Sequence, residues 1–232
     1  ITNQLLAHFA THVLTGFPET TGLGQKNKWA GNPVRPAISA YRSKNHFEKV
    51  GSNRKSRLLI MGGSQGAEVL NKVVPAAVLM LPTSDRPEII HQCGQAWKAT
   101  TAARYSELGV DADVVGYIED VASAYKNSDL VICRAGAMTL AEISVIGVPS
   151  LLIPFPHAVG DHQSKNAEFM AKHGAARVMF QNQLSVETLA VVIAELLADR
   201  KKLSDLAKAA RSLACIDATE LVAGYCREVM GA

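Results

Sequence analysis

The sequence lacks the long apolar run that a membrane-spanning helix requires. Such a helix takes about 20 consecutive apolar residues, whereas the longest run, Val148–Phe155, is short and contains Pro149 and Pro154. Cysteine is also scarce, and its positions show neither metal-ligand spacing nor the density of a disulfide-rich protein. The four cysteines are Cys93, Cys133, Cys215 and Cys226. We therefore expect reduced thiols and a cytoplasmic protein.

An excess of one charge sign is missing too. The formal net charge is +3, from 24 Lys and Arg against 21 Asp and Glu. Basic clusters such as Arg54–Arg57 and Arg200–Lys202 are short, which is typical of solvated surface and argues against a nucleic-acid partner. With 48% hydrophobic and 19% charged residues, the composition is that of an ordinary globular α/β protein.

Short apolar runs alternate with helical periodicity from residue 57 onward, which predicts strand–helix–strand crossovers. The predicted strands are Arg57–Met61, Glu88–His91, Asp113–Ile118, Leu130–Cys133, Ser150–Ile153 and Ala176–Phe180. The predicted helices are Ala67–Leu81, Ala96–Leu108, Val121–Lys126, Met138–Ile146, Gln163–His173, Val186–Leu197, Lys202–Leu213 and Asp217–Met230. This order indicates an α/β fold with a doubly wound parallel sheet, Rossmann-like, with helices on both faces.

The first 50 residues depart from this alternation. They hold a predicted helix at Ile1–Ala10, an apolar run at His12–Phe17, and a Gly- and Pro-rich stretch at Gly31–Pro36. We interpret this region as a connector. The run at His12–Phe17 is expected to pair with a sheet that this chain does not supply. The chain lacks an initiator Met and is expected to be a fragment of something longer.

Glycines follow the first strand of the predicted sheet, at Gly62, Gly63 and Gly66, with Ser64 and Gln65 between them. In parallel sheets, ligands bind beyond the carboxyl ends of the strands, where helix N-termini point. Glycines let backbone amides approach a phosphate, and Ser64 adds a hydroxyl and suits a helix N-cap. A plain tight turn is the alternative. The spacing is neither a dinucleotide fingerprint nor a P-loop.

A second set of small residues follows the strand Leu130–Cys133. It runs from Arg134 into a helix on which Thr139 and Glu142 lie one turn apart. A carboxylate in this place can accept hydrogen bonds from the two hydroxyls of a ribose. Alternatively, Glu142 only stabilises the first turn of the helix.

The loops after the remaining strands carry polar side chains. Gln163 and Asn166 offer amides that suit sugar hydroxyls, and Asp161 is expected to cap the next helix. A metal site at His157, Asp161 and His162 is disfavoured because no fourth ligand is apparent. Asp111 and Asp113 resemble a metal-binding Asp-x-Asp motif, but they precede a strand, away from the ligand edge, and are interpreted as a turn.

Two further positions stay open on the residues alone. Tyr117 and Ile118 are expected at a strand end, where backbone groups can bind a base edge, although strand packing is equally consistent with the pattern. Arg35, in the connector, either reaches a phosphate or base or lies in solvent.

Taken together, these motifs resemble the MurG family, the bacterial N-acetylglucosaminyltransferases that convert lipid I to lipid II in peptidoglycan synthesis. The resemblance runs in order over nearly the whole chain. The matching stretches are GNPVR (Gly31–Arg35), GGSQGA (Gly62–Ala67), HQCG (His91–Gly94), GYIEDV (Gly116–Val121), CRAGAMTLAE (Cys133–Glu142), PFPHA (Pro154–Ala158) and DHQSKNA (Asp161–Ala167).

The resemblance implies the C-terminal domain of a two-domain GT-B glycosyltransferase that holds UDP-GlcNAc without a metal or cofactor. It implies that Arg35 and Ser64 contact the nucleotide and its diphosphate, that the Ile118 backbone binds uracil, and that Gln163 binds the sugar hydroxyls. It also implies that Glu142 holds the ribose. The full set of expected donor-binding residues is Arg35, Gly63, Ser64, Gln65, Gly66, Ile118, Ala137, Met138, Thr139, Leu140, Ala141, Glu142 and Gln163.

The family's N-terminal domain has no counterpart in these residues. By resemblance, that domain carries a second glycine-rich loop, the lipid I site, the general base and the membrane-facing patch at the cytoplasmic face of the inner membrane. The expected division is therefore the end of that domain and a connector (1–35), a UDP-GlcNAc-binding domain (36–215) and a returning helix (216–232).

Three other functions remain as alternatives. The chain could be a non-catalytic nucleotide-sugar-binding subunit that needs a separate acceptor-binding, membrane-associated partner. A sugar-nucleotide epimerase of related fold is less favoured. A nicotinamide oxidoreductase is disfavoured because the strand that ends in His91-Gln92 provides no acidic residue for the cofactor's ribose.

Overall fold

In a computed structural model, residues 2–18, 20, 23, 26–41 and 54–231 are described. Ile1, with which the predicted first helix begins, and residues 42–53 of the expected nucleotide-binding domain lie outside them. The strands are β1 (Val13–Thr15), β2 (Asn27–Trp29), β3 (Arg57–Met61), β4 (Glu88–Gln92), β5 (Asp113–Val115), β6 (Leu130–Cys133), β7 (Ser150–Leu152) and β8 (Arg177–Val178).

Helices of four to 13 residues connect or follow these strands. They are α1 (Thr2–Phe9), α2 (Pro36–Ser39), α3 (Glu68–Leu79), α4 (Lys98–Glu107), α5 (Val121–Lys126), α6 (Ala137–Ile146), α7 (His162–Lys172), α8 (Val186–Ala198), α9 (Arg200–Ser212) and α10 (Ala218–Met230). Within the described ranges, none of them has the length and apolar character needed to span a membrane.

Strands β3 to β8 form one sheet in the order β5-β4-β3-β6-β7-β8, with every neighbouring pair parallel. The chain first builds outward from β3 to β5, then returns to the other side of β3 and builds outward to β8. This confirms the predicted doubly wound parallel sheet. The order reverses between β3 and β6, and a sheet of this kind opens a ligand crevice at that point, beyond the carboxyl ends of its strands.

Both faces of the sheet are covered because adjacent strand residues point to opposite sides. Leu58 and Ile60 of β3 belong to a core shared with α3 and α8, whereas Leu59 between them belongs to a second core shared with α5 and α6. Full burial of such an aliphatic side chain stabilises the fold by about 1.5–3 kcal/mol.

Several predicted boundaries differ from the structure, including the strand predicted at Ala176–Phe180, which spans only Arg177–Val178, and one predicted helix cap is absent. Strand β5 ends at Val115 rather than Ile118, because the carbonyl of Gly116 turns toward the side chain of Gln92, 3.0 Å from its Nε2. Asp161 precedes α7 but its side chain makes no capping bond. An N-cap residue takes an extended conformation, whereas Asp161 has a left-handed φ of 55°.

The connector contains its own small sheet. Strand β1 pairs in parallel with β2, Val13 opposite Asn27 and Thr15 opposite Trp29. The prediction that the run at His12–Phe17 needs a sheet from outside this chain is therefore wrong. The three-residue partner was missed because Asn-Lys-Trp is too short and too polar to produce a strand pattern.

Helix α3 contains a proline that a residue of α4 compensates. Pro75 has no N–H to donate to the carbonyl of Asn71, four residues earlier in the helix. Arg104 supplies a donor instead, with Nη1 3.0 Å from that carbonyl oxygen. The break in the helical hydrogen bonds thus becomes a point of attachment between α3 and α4.

Helix α6 is held at its C-terminus. Its last turn ends in a left-handed Gly147, and Arg211 of α9 donates from Nη1 to the carbonyls of Val145 and Ile146, at 2.6 and 3.3 Å. A cation at this end also complements the helix dipole. The opposite end of α6 points into the crevice.

Candidate functional site

A pocket of about 220 Å³ occupies the crevice between β3 and β6. Seven of the residues predicted from the sequence line it, namely Arg35, Gly63, Ser64, Ile118, Met138, Thr139 and Glu142. Four lining residues lie outside the predicted set, namely Met61, Gln92, Tyr117 and Val121. The pocket therefore joins the connector to the last residues of β3 and β4 and to the segments that follow β3, β5 and β6.

The glycine-rich loop forms a tight turn rather than the first turn of a helix. The Gly66 N–H donates to the Gly63 carbonyl at 2.9 Å, and both glycines have positive φ, 75° and 77°. Helix α3 begins only at Glu68, with Ala67 at the N-cap. Ser64 therefore lies at the tip of the turn, and the prediction that it suits an N-cap is wrong.

This turn divides its amides into two groups. The Gly63 and Gly66 N–H groups are bonded internally, to Gln92 Oε1 and the Gly63 carbonyl. Ser64 and Gln65 donate their amides to no group in the described part of the chain. Of these two residues Ser64 lines the pocket, so its amide and hydroxyl are the donors that this turn can offer to an anion there.

The loop after β4 supports the glycine turn from behind. A Cβ on Gly66 would lie 2.1 Å from the Cys93 carbonyl oxygen, and a Cβ on Gly94 would lie 2.8 Å from the Gly66 nitrogen. Only glycine permits this approach, which accounts for both Gly66 and the glycine that ends the stretch His91–Gly94.

The N-terminus of α6 forms the opposite wall. Its N-cap is Gly136, which has no side chain to cap the helix. The amides of Ala137, Met138 and Thr139 have no acceptor among the described residues. Unsatisfied amides and the partial positive charge of the helix suit this end to binding an anion. The two walls together offer donors from two sides of the pocket.

Glu142 lies one turn into α6 and is 4% exposed. Burial raises the pKa of its carboxyl, whereas Arg35 and the Tyr125 hydroxyl beside it act to lower that pKa. Arg35 Nε lies 2.9 Å from Oε1, and Tyr125 donates to Oε2 at 3.4 Å. The contact from Arg35 is an ion pair that covers Oε1 without the direction of a hydrogen bond, so Oε1 accepts no hydrogen bond from the described residues.

One end of the pocket is formed by the loop after β5. Tyr117 is 65% exposed and Ile118 is half-buried, and both line the pocket three residues or fewer beyond the strand. Asp120 then caps α5 by accepting from the Ser123 amide at 3.0 Å. The loop is thereby fixed at both ends, by β5 and by α5.

Gln163 does not line this pocket. Its Oε1 accepts from the Phe155 amide at 3.0 Å, and Asn166 donates to the Ala135 carbonyl at 3.1 Å. Arg134 likewise points away, with Nη2 2.8 Å from Gln181 Oε1. These residues fasten the loops after β6, β7 and β8 to one another.

Two predicted residues of α6 lie on another side of the helix. Leu140 and Ala141 line a second cavity, of about 260 Å³, which the connector residues Phe17 and Trp29 close. This cavity is mainly apolar and contains no part of the glycine turn. The remaining predicted residues, Gln65, Gly66 and Ala137, belong to the two walls but do not line the pocket.

The acidic pair Asp111 and Asp113 lies at the start of β5, at the edge of the sheet opposite the pocket, as the sequence predicted. His157 and His162 lie beyond β7. In the parts of the chain for which side chains are described, no three His, Cys, Asp or Glu residues gather closely enough to hold a metal.

Known proteins are similar to this chain over almost all of its length. The curated N-acetylglucosamine transferase from Ectopseudomonas mendocina, whose full description is UDP-N-acetylglucosamine--N-acetylmuramyl-(pentapeptide) pyrophosphoryl-undecaprenol N-acetylglucosamine transferase, is 45% identical over 228 residues. A protein of the same description from Dechloromonas aromatica is 44% identical over 231 residues. The alignments cover 98% and 99% of this chain but only 63% of each relative.

Among solved structures, Acinetobacter baumannii MurG matches with a TM-score of 0.81 and 33% identity, over 98% of this chain and 64% of that one. The fold is thus that of the Rossmann-like C-terminal domain of a GT-B glycosyltransferase. The sequence profile of the glycosyltransferase family 28 C-terminal domain matches residues 57–222. The chain belongs to this family.

Proposed function

We propose that this chain binds UDP-GlcNAc for the transfer of N-acetylglucosamine to a lipid-linked acceptor. The observation that carries the proposal is the buried Glu142 carboxylate, whose Oε1 accepts no hydrogen bond, beside a pocket between two sets of unbonded amides. Glu142 would accept from the ribose hydroxyls, and the amide walls would bind the diphosphate. The relatives' description names UDP-N-acetylglucosamine as their donor.

The reaction that fits this site is an inverting displacement. The muramyl 4-hydroxyl oxygen of the acceptor bonds to the anomeric carbon, while the bond from that carbon to the UDP oxygen breaks and UDP leaves with its electron pair. The negative charge that develops on the diphosphate is stabilised by Ser64, Gln65 and the N-terminus of α6. The hydroxyl proton passes to a base that we assign to the part by which the relatives are longer.

The wider setting is part of the same proposal. The acceptor is lipid I, and contact with the inner membrane, at its cytoplasmic face, is made outside this chain. Residues 1–35 form the connector, 36–215 the donor-binding domain and 216–232 a helix that returns toward the acceptor-binding part. Gln163 contacts the sugar when the donor is bound, by exchanging its bond to the Phe155 amide.

Calorimetric titration with UDP-GlcNAc tests the site. Glu142→Gln and Ser64→Ala are each expected to raise the dissociation constant by about 10- to 100-fold, because each removes hydrogen bonds that involve a charged group and contribute about 1.5–3 kcal/mol. Glu195→Gln on α8 and Ser84→Ala, at the edge of the sheet opposite the pocket, are matched controls. An unchanged dissociation constant for both site variants would rule out this pocket.

A further inference from the structure

Gln92 lies in the only strand of the sheet that neighbours both β3 and β5. The loop after β3 holds the turn that would bind the diphosphate. The loop after β5 holds Tyr117 and Ile118, at the end of the pocket where the nucleobase would bind. Gln92 is the last residue of β4 and is 4% exposed. The Gln92 side chain therefore lies between the two loops, at the bottom of the pocket.

Every hydrogen of the Gln92 side-chain amide is used to join these loops. Oε1 accepts from the Gly63 N–H at 3.0 Å, and Nε2 donates to the Gly63 carbonyl at 2.9 Å and to the Gly116 carbonyl at 3.0 Å. The main-chain carbonyl of Gln92 adds a fourth bond, accepting from the Gly62 N–H at 2.9 Å. A rotated amide would direct its oxygen at two carbonyls, so the network fixes its orientation.

These bonds determine which amides of the glycine turn face the pocket. Gln92 Oε1 accepts from the Gly63 N–H, so that N–H cannot turn toward a ligand. Gln92 Nε2 also holds the Gly63 carbonyl, which shares a planar trans peptide unit with the Ser64 N–H, so the Ser64 N–H points away from Gln92. The hydrogen bond from Gln92 Nε2 to the Gly116 carbonyl sets the distance between the glycine turn and the loop after β5. A ligand that contacts both loops gains from this fixed separation, because less motion is lost on binding.

We infer that Gln92 is a positioning residue that couples the diphosphate-binding turn to the base-binding loop, so that uridine and diphosphate bind as one unit. This inference rests on the proposed function. It predicts that a change at Gln92 weakens the binding of UDP more than the binding of uridine. The gain in affinity from adding the diphosphate to uridine should therefore become smaller.

The test compares the dissociation constants of uridine and UDP by calorimetry, in the wild type, Gln92→Met and Gln92→Glu. Met keeps the length of the side chain without its hydrogen bonds, and Glu can accept from Gly63 but cannot donate. We expect the ratio of the uridine constant to the UDP constant to fall at least 10-fold in both variants. Gln92→Glu decides the matter if Gln92→Met does not fold.

The control is Ser128→Ala, which removes a buried hydrogen bond, from Oγ to the Ala124 carbonyl at 2.6 Å, at the opposite edge of the sheet. It is expected to keep the wild-type ratio. Amide hydrogen exchange in the ligand-free protein gives a second readout, since the Gly63 amide should be protected in the wild type and exchange at least 10-fold faster in Gln92→Met.

The outcomes are distinguishable. Absence of UDP binding to the wild type overturns the proposed function. Wild-type binding of UDP together with an unchanged uridine-to-UDP ratio in the Gln92 variants overturns the coupling role alone. Equal losses of uridine and UDP affinity also overturn it, because they indicate a general structural role.

Discussion

Asp129 shows how a single carboxylate holds distant segments together at the edge of the sheet opposite the pocket. It is fully buried, and its oxygens lie 2.8 Å from Nη1 of Arg54, Nη1 of Arg200 and the amide of Arg57. These donors come from the segment before β3, from β3 and from α9. One side chain therefore satisfies three donors and ties the chain before β3 to β6 and α9.

Replacing this carboxylate should be costly at the residue scale. We expect Asp129→Ala to lower the free energy of unfolding by about 3 kcal/mol, the lower end of the range for breaking a buried ion pair, because both arginines keep some access to water. Urea unfolding measures the change. Asp205→Ala removes an exposed pair with Lys201 and should leave the free energy of unfolding nearly unchanged, because water screens such a pair. A similar small loss for Asp129→Ala would contradict this assignment.

Residue types with one dominant structural use were predictable from the sequence. The glycines of the turn and Glu142 at a helix start belong to this group, and the structure places them around one pocket. Gln92 was not predictable, because a glutamine at a strand end is equally typical of solvent-exposed surface. Its partners Gly63 and Gly116 are 29 and 24 residues away in the sequence. The polar pair His91-Gln92 after an apolar strand was the available signal.

At the scale of elements, a buried polar network joins β4 to the two helices beside it. His91 Nδ1 lies 3.0 Å from the Tyr105 hydroxyl on α4, and Nε2 lies 3.1 Å from Asn71 Oδ1 on α3. Because Asn71 Oδ1 only accepts, Nε2 carries the proton and Nδ1 accepts from Tyr105. Asn71 also donates to the Cys93 carbonyl at 3.1 Å, behind the glycine turn.

This network should make stability depend on pH. Burial lowers the pKa of His91 to about 3, whereas the unfolded value is about 6.5. Between these two pKa values the unfolded chain binds a proton that the folded chain does not. The contribution of the neutral His91 side chain to the free energy of unfolding is therefore complete above about pH 6.5 and is lost as the pH falls. We expect the free energy of unfolding to fall by about 1.4 kcal/mol for each pH unit below about pH 6.

Urea unfolding from about pH 4.5 to about pH 7.5, in steps of about half a unit, measures this slope on both sides of the unfolded pKa. His91→Gln should lose the component, whereas His157→Gln, which replaces an exposed histidine, should retain it. Parallel profiles for the wild type and His91→Gln would show that His91 is not the residue responsible.

The existence of the elements was more predictable than their ends. Apolar runs identified all six strands of the main sheet, because buried parallel strands are apolar on both faces. The ends depend on contacts made elsewhere in the fold: Gln92 draws the Gly116 carbonyl out of β5, and a left-handed turn at Asp161 precedes α7. Such contacts are set by tertiary structure and leave no local pattern.

At the scale of the whole molecule, the chain spans 63% of the length of the curated relatives that it matches. Helix α1 carries apolar side chains that the described residues leave exposed, with Leu5 at 62%, Leu6 at 58% and Phe9 at 83%. Helix α10 contacts the connector through Tyr225, whose ring lies 5.4 Å from that of His12 and 4.7 Å from Lys28 Nζ.

We expect this chain to bind UDP-GlcNAc but not to transfer its sugar to a lipid I analogue. The acceptor site and the base are assigned to the part by which the relatives are longer, so fusion of that part to the chain should restore transfer. Chromatographic measurement of UDP release and lipid product tests both forms. Turnover by the chain alone would contradict the division, and absence of turnover after fusion would favour a non-catalytic binding subunit.

The compensation between α3 and α4 also has a consequence for descent. If another residue replaces Pro75 in a related protein, its N–H can donate to the Asn71 carbonyl. The hydrogen bond from the Arg104 guanidinium to that carbonyl is then no longer required. A lineage that keeps the proline but loses the arginine leaves the Asn71 carbonyl without a donor. Positions 75 and 104 should therefore co-vary among related sequences, although they lie on different helices and neither lines the pocket between β3 and β6.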